Sequence, residues 1–189
     1  MSQTFDKEGN VVPVTLISAG PCYILQKKSK EKDGYEALQF GFDKIEKKAK
    51  IGKSMKGKEY KHIREIRNQK PENRNVGEEI NVGEFAEGEL VKVSGLSKGK
   101  GFQGGVKRHG FSGRDATHGV KHEHRTIGST GGRFPQHVIK GRKMPGRMGY
   151  EKVSVKNLEI IKIDKENNLI AVKGAIPGRN GGLVEIFNY

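Results

Sequence analysis

Apolar and polar positions along most of the chain fall into short runs separated by turn formers. Residues 11–17, 23–26, 35–42, 62–67, 79–82 and 89–93 are rich in β-branched or aromatic side chains and bounded by Gly, Asn, Asp or Pro. That is the pattern of short strands between tight turns. It returns beyond residue 150, at 152–155, 158–164, 169–173 and 183–187. Asn167-Asn168 reads as a hairpin-like turn between two of these runs, and Pro177-Gly178 with Gly181-Gly182 marks the last loop. Strands of this length and spacing predict a mainly β fold, a closed or nearly closed barrel. Residues 44–61 are Lys-rich with scattered Ile, Ala and Met; a short helix fits 45–50, while Gly52 and Gly57 favour a basic loop.

Between residues 94 and 150 the pattern stops. Neither a period of 3.6 nor alternation is sustained there, and so long a stretch without periodicity counts against its being part of a packed domain. Composition changes at the same boundaries. The formal net charge of the 189 residues is +14. Of that, +10 lies in residues 94–150, where 12 Lys and Arg face only Asp115 and Glu123. The same stretch holds 14 of the 27 glycines and five of the six histidines. An arm of this kind buries too little apolar surface to offset its ordering entropy, and an external polyanion is the partner expected to order it.

Other classes of function lose ground on the same reading. The longest apolar run, 11–19, is about half a membrane span and contains Pro13. The first eight residues lack a basic start and an apolar stretch, so a cleaved signal is not expected. Cys22 has no second cysteine to pair with, fits a reducing compartment, and reads as a small core residue rather than a catalytic thiol.

Gly99-Lys100-Gly101-Phe102-Gln103-Gly104 has the spacing of a dinucleotide-binding loop after a predicted strand. That motif works by aiming a helix N-terminus at pyrophosphate, and the residues that follow, 105–113, hold too much glycine for a helix. His118, His122 and His124 invite a metal reading, the basis of the competing hypothesis of a metal- or nucleotide-dependent enzyme acting on RNA. Lys121 and Arg125 would repel a cation beside them, and no second ligand cluster accompanies them, so no metal is expected. Asp115 and Glu123 lack a nucleophile or oxyanion-stabilising partner.

What recurs is glycine beside cation: Lys98-Gly99-Lys100-Gly101, Gly105-Val106-Lys107-Arg108, Lys140-Gly141-Arg142-Lys143 and Pro145-Gly146-Arg147-Met148-Gly149. Glycine lets backbone approach phosphate closely, and each cation neutralises a phosphate and releases counterions. With Phe102, Phe111 and Phe134 interleaved as stacking or wedge residues, the arm has the footprint of a nucleic-acid binder. An irregular, glycine-rich arm suits crevices in folded RNA, whereas a DNA reader normally presents a regular helix or ribbon. Lys98, Lys100, Lys107, Arg108, Arg114, Arg125, Lys140, Arg142, Lys143 and Arg147 are the expected phosphate contacts, and His109, His118 and His124 fit between bases or phosphates.

The strings Val93-Ser94-Gly95-Leu96-Ser97-Lys98-Gly99-Lys100-Gly101-Phe102, Lys107-Arg108-His109-Gly110-Phe111, and Thr117-His118-Gly119 with His124-Arg125 and Gly128-Ser129 resemble the ribosomal protein L3 family in its bacterial form. The likeness continues through Lys140-Gly141-Arg142-Lys143-Met144-Pro145-Gly146-Arg147-Met148-Gly149 and ends with Asn168-Leu169-Ile170-Ala171-Val172-Lys173-Gly174-Ala175-Ile176-Pro177-Gly178, so it covers nearly the whole chain. The resemblance implies a six-stranded β-barrel of the translation-protein type, residues 1–93 joined with 151–189, holding an arm, residues 94–150. In the family the arm runs through 23S rRNA, and Met144, Pro145, Gly146, Arg147 and Met148 match the tip nearest the peptidyl transferase centre. The implied role is structural rather than enzymatic, without cofactor, small-molecule substrate or membrane. It is exercised in the cytoplasmic ribosome and early in subunit assembly, beside ribosomal proteins L14 and L19. Two departures stand out. Met1 occupies the place of a methionine that family members precede with a Gly-x-Lys-x-Gly stretch, so a truncated first barrel strand is expected. Arg147 stands where some members carry a methylated glutamine.

Overall fold

The structure, a computed structural model, describes residues 1–47, 51–67 and 74–188. The chain divides into two compact units: unit 1 is Met1–Lys92, Lys156–Ala175 and Phe187–Tyr189, and unit 2 is Val93–Val155 and Ile176–Ile186. In chain order the elements are β1 (Ser2–Phe5), β2 (Val11–Ser18), β3 (Cys22–Lys28), α1 (Lys30–Asp33), β4 (Ala37–Lys44), β5 (Tyr60–Ile66), β6 (Glu79–Ile80), β7 (Leu90–Leu96), β8 (Phe102–Gln103), α2 (Gly105–His109), β9 (Gly146–Arg147), β10 (Lys152–Asp164), β11 (Leu169–Lys173) and β12 (Val184–Asn188). The fold is mainly β. A six-stranded sheet has the order β1-β2-β11-β10-β7-β12, a four-stranded sheet the order β5-β4-β3-β6, and β8 pairs with β9.

Turn chemistry sets the registers of unit 1. Between β1 and β2, the Asp6 carboxylate accepts the backbone N–H of Glu8 at 2.9 Å and of Asn10 at 2.8 Å. The Asn10 bond leads in holding that carboxyl below its ordinary value. Between β10 and β11, the Asp164 carboxylate accepts from the Asn167 amide and from the N–H groups of Glu166 and Asn167, and Asn168 takes φ 51°. Asx turns of this kind satisfy the backbone locally. The longest-range closure is β11 against β2, antiparallel with Ile170 opposite Ile17 and Val172 opposite Thr15. Beside it the Thr15 hydroxyl donates to the Gly174 carbonyl at 2.6 Å. The buried apolar side chains of unit 1 are Val14, Ile17, Ile24, Ala37, Leu38, Val82, Val91, Ile160, Ile170 and Val172.

In the four-stranded sheet β4 runs between β3 and β5. Gly41 sits where the Tyr60 ring crosses the strand: a Cβ there would lie 2.6 Å from Tyr60 Cγ. The Tyr60 ring in turn packs on Tyr23, centroids 5.6 Å apart. A ring laid over a strand glycine restores the cross-strand packing that the missing side chain forfeits.

Most predicted runs are strands, with five corrections. Ser2–Phe5 forms β1, which the apolar pattern does not mark; it is four residues long and pairs Ser2–Phe5 with Val14–Val11. The runs at 152–155 and 158–164 are one strand, with Asn157 at φ 57° inside it. Strand β4 starts at Ala37, not residue 35, because α1 and Gly34 at φ 80° precede it. Of the helix considered at 45–50, residues 45–47 are not helical and 48–50 lie outside the described residues; a single 3₁₀ turn forms at Lys53–Met55. Residues 79–82 give only a two-residue strand before a 3₁₀ turn at Val82–Glu84. Cys22 is half-buried at the start of β3 rather than in the core, and burial pushes its thiol pKa up.

Candidate nucleic-acid interface

Unit 2 is braced by backbone more than by an apolar core. At its root Ser97 N–H donates to the Glu151 carbonyl at 2.9 Å, Glu151 N–H returns to Ser97 Oγ at 3.2 Å, and the Ser94 and Ser154 hydroxyls lie 2.7 Å apart. Further out, Lys100 N–H donates to the Met148 carbonyl and Met148 N–H to the Gly101 carbonyl, each at 3.0 Å. The β8–β9 ribbon continues this pairing, with Phe102 opposite Arg147 and Gln103 opposite Gly146. Gly149 has to be glycine here. Its φ is 75°, and a Cβ would drive into the Lys98 carbonyl oxygen, so both the left-handed backbone and the close approach exclude a side chain.

Residues 105–113 depart from the helix-free expectation. α2 spans Gly105–His109, and Gly110 at φ 72° caps it by donating its N–H to the Val106 carbonyl at 3.0 Å. Propensity does not explain a helix that opens on glycine. Packing does: Gly105 is buried beneath Ile127 and Phe111, where a Cβ would collide with both side chains. The helix then presents two consecutive side chains to one acceptor. Arg108 Nη1 donates to the Met144 carbonyl at 2.8 Å, and His109 Nε2 lies 3.0 Å from the same oxygen. Arg108 also occupies the space that a side chain at Gly146 would need, 2.6 Å from its Cβ position. Sequence reasoning missed this clamp because a backbone carbonyl 36 residues away leaves no signature in residue type.

The other candidates divide by exposure. Lys98, Lys100, Lys107, Arg114, His118, Arg125, Lys140, Arg142, Lys143, Pro145 and Arg147 are exposed, whereas Arg108, His109, His124, Met144, Gly146 and Met148 are half-buried. His124 Nδ1 meets the Asp115 carbonyl at 3.0 Å, and the His124 carbonyl accepts Arg114 N–H at 3.1 Å. His118 takes φ 57°. Arg142 closes the 129–142 loop on the Ser129 carbonyl at 3.0 Å. Among the described residues, Arg114 is the one cation of residues 94–150 in an ion pair, with Glu123. The +10 excess is therefore displayed rather than neutralised internally. Among the described residues no three His, Cys, Asp or Glu side chains gather as a metal would require, and no helix is long and apolar enough to cross a membrane.

Known proteins resemble this chain along its length. The family described as Ribosomal protein L3 matches residues 73–187. Large ribosomal subunit protein uL3 of Pelotomaculum thermopropionicum is 49% identical over 193 residues, covering 98% of this chain and 91% of its own. The uL3 protein of Thermosipho africanus is 49% identical over 188 residues, covering 95% and 90%. That of Corynebacterium jeikeium is 45% identical over 194 residues, covering 98% and 88%.

Proposed function

The chain belongs to the ribosomal protein L3 family, and on that premise we propose that it is a structural constituent of the large ribosomal subunit that binds 23S rRNA through residues 94–150. One observation carries the contact assignment: exposed cations stand on a glycine-braced backbone with a single ion pair among them. Such a surface neutralises phosphates and lets RNA helices pack against one another. Lys98, Lys100, Lys107, Arg114, Arg125, Lys140, Arg142, Lys143 and Arg147 take phosphate, the arginines in bidentate fashion where geometry allows. His118 and His124 fit between bases or phosphates, and Arg108 and His109 add to this only with the groups that the Met144 carbonyl leaves free.

The family resemblance supports the remaining parts of the reading. Residues 94–150 act as the arm, and the ribbon at Met144, Pro145, Gly146, Arg147 and Met148 approaches the peptidyl transferase centre. Residues 1–93 with 151–189 form the globular domain, whose six-stranded sheet supports closure into a barrel. The protein works in the cytoplasmic ribosome, joins the subunit early in assembly, neighbours ribosomal proteins L14 and L19, and catalyses nothing itself.

Sedimentation tests the reading. A tagged full chain is expected to travel with the large subunit on a sucrose gradient, and a chain lacking residues 95–149 to be lost from it or to stall in a precursor. A full chain that stays at the top of the gradient would overturn the proposal.

A further inference from the structure

Three aromatic rings of unit 2 are largely exposed, Phe102, Phe134 and Tyr150, and two of them, Phe102 and Tyr150, neighbour Arg147. Phe102 is 77% exposed and Tyr150 is 60% exposed, whereas Phe111 is half-buried against His109 and Gly105. Pairing sets Phe102 directly opposite Arg147 on the β8–β9 ribbon, which puts both side chains on one face. The Arg147 guanidinium lies 5.1 Å from the Tyr150 ring centroid. Three flat groups thus stand side by side on backbone held by the Lys100 and Met148 hydrogen bonds.

Isolated exposed aromatics are ordinary on a protein surface. Tyr150 is not ordinary, because its φ is 57°. A bulky residue in the left-handed region is strained, and such strain persists where the surroundings or a function hold it. Here the ring is not buried, so the fold itself gains little from a tyrosine over an asparagine or glycine.

We infer that Phe102, Arg147 and Tyr150 form a stacking platform for an unpaired nucleobase. Aromatic faces and a guanidinium plane accept any base, and the exposed cations Lys98 and Lys100 on the loop entering the ribbon supply the neighbouring phosphate contact. The inference rests on the rRNA-binding reading and adds to it a ligand at base resolution.

Tyr150→Asn is the clean probe, since asparagine tolerates the left-handed backbone and removes the ring; Phe102→Leu is its partner, and Tyr150→Phe the conservative control. Large subunits carrying each tagged full-length chain are probed chemically for reactive unpaired 23S bases. Wild-type and Tyr150→Phe particles are expected to protect a base that becomes at least about threefold more reactive in the Phe102→Leu/Tyr150→Asn particles. Unchanged reactivity in the double variant overturns the platform and leaves the rRNA reading standing. Absence of the wild-type chain from the particles overturns the rRNA reading itself. The free full-length chain gives a second readout with a single-stranded RNA containing 2-aminopurine. The double variant is expected to bind but quench the fluorescence severalfold less than wild type, and equal quenching overturns the platform.

Discussion

Glu65 receives three donors at the edge of the four-stranded sheet. Lys28 Nζ is 2.9 Å away, the Tyr35 hydroxyl 2.8 Å and the Gln39 amide 3.2 Å. Lys58 completes the cluster by donating to the side-chain oxygens of Gln26 and Gln39 at 2.7 and 2.6 Å. The Lys28 bond, then the Tyr35 bond, hold the Glu65 carboxyl below its ordinary value, and hydrogen bonds to Tyr35 and Glu65 hold Lys28 above its own. A depressed carboxyl contributes stability that is present above the unfolded value of ~4.3 and is lost as pH falls through the lowered folded value. Asp43, held down chiefly by Lys61, and Glu78, held down chiefly by the Asn75 N–H, act in the same direction. Glu65→Gln is therefore expected to melt below wild type at pH 7 and to converge on it as the pH approaches about 3. Melting curves across that range check the sign, and a gap that stays constant down to pH 3 contradicts it.

The β8–β9 ribbon is an element held in place by its backbone. Gly149→Ala places a Cβ against the Lys98 carbonyl at φ 75°, and the left-handed conformation alone costs an alanine about 1–2 kcal/mol. Hydrogen exchange at the Lys100 and Met148 amides is expected to quicken about tenfold or more in that variant, with amides of β2 and β11 unaffected; unchanged exchange at Lys100 and Met148 refutes the account. The sequence could not announce this ribbon, because two-residue strands have no period. It could not announce α2 either, whose stability comes from Ile127 and Phe111 closing over Gly105. By contrast β2, β3, β5, β7, β11 and β12 are legible, each a β-branched or aromatic run between turn formers. The division of β10 into two runs falls at a real local feature, the positive φ of Asn157, through which pairing nevertheless continues. Among the candidate contacts, exposed lysines and arginines were readable because they need no partner within the chain. The inward turn of Arg108 and His109 was not readable, because it depends on where a distant carbonyl comes to rest.

Across the whole molecule charge and core are segregated, and salt should reveal it. Each phosphate neutralised on single-stranded RNA contributes about −0.7 to the slope of log Kobs against log salt. If six or more of the exposed cations engage, the full chain has a slope steeper than about −4. A chain lacking residues 95–149 is expected to fall well short of that, as filter binding between about 50 and 200 mM salt would measure. Equal slopes would mean that the charge excess of residues 94–150 does not set the affinity. The pairing of β2 with β11, sealed by the Thr15–Gly174 bond across 159 positions, also imposes an order in time. A ribosome adding roughly 5–20 residues per second releases β2 many seconds before the strand that must lie beside it. By the end of that interval the cationic segment has been made while the six-stranded sheet still lacks a central member. Nascent copies thus offer their charged surface to the cell before their fold can close, and whatever polyanion they meet first meets an unfinished protein.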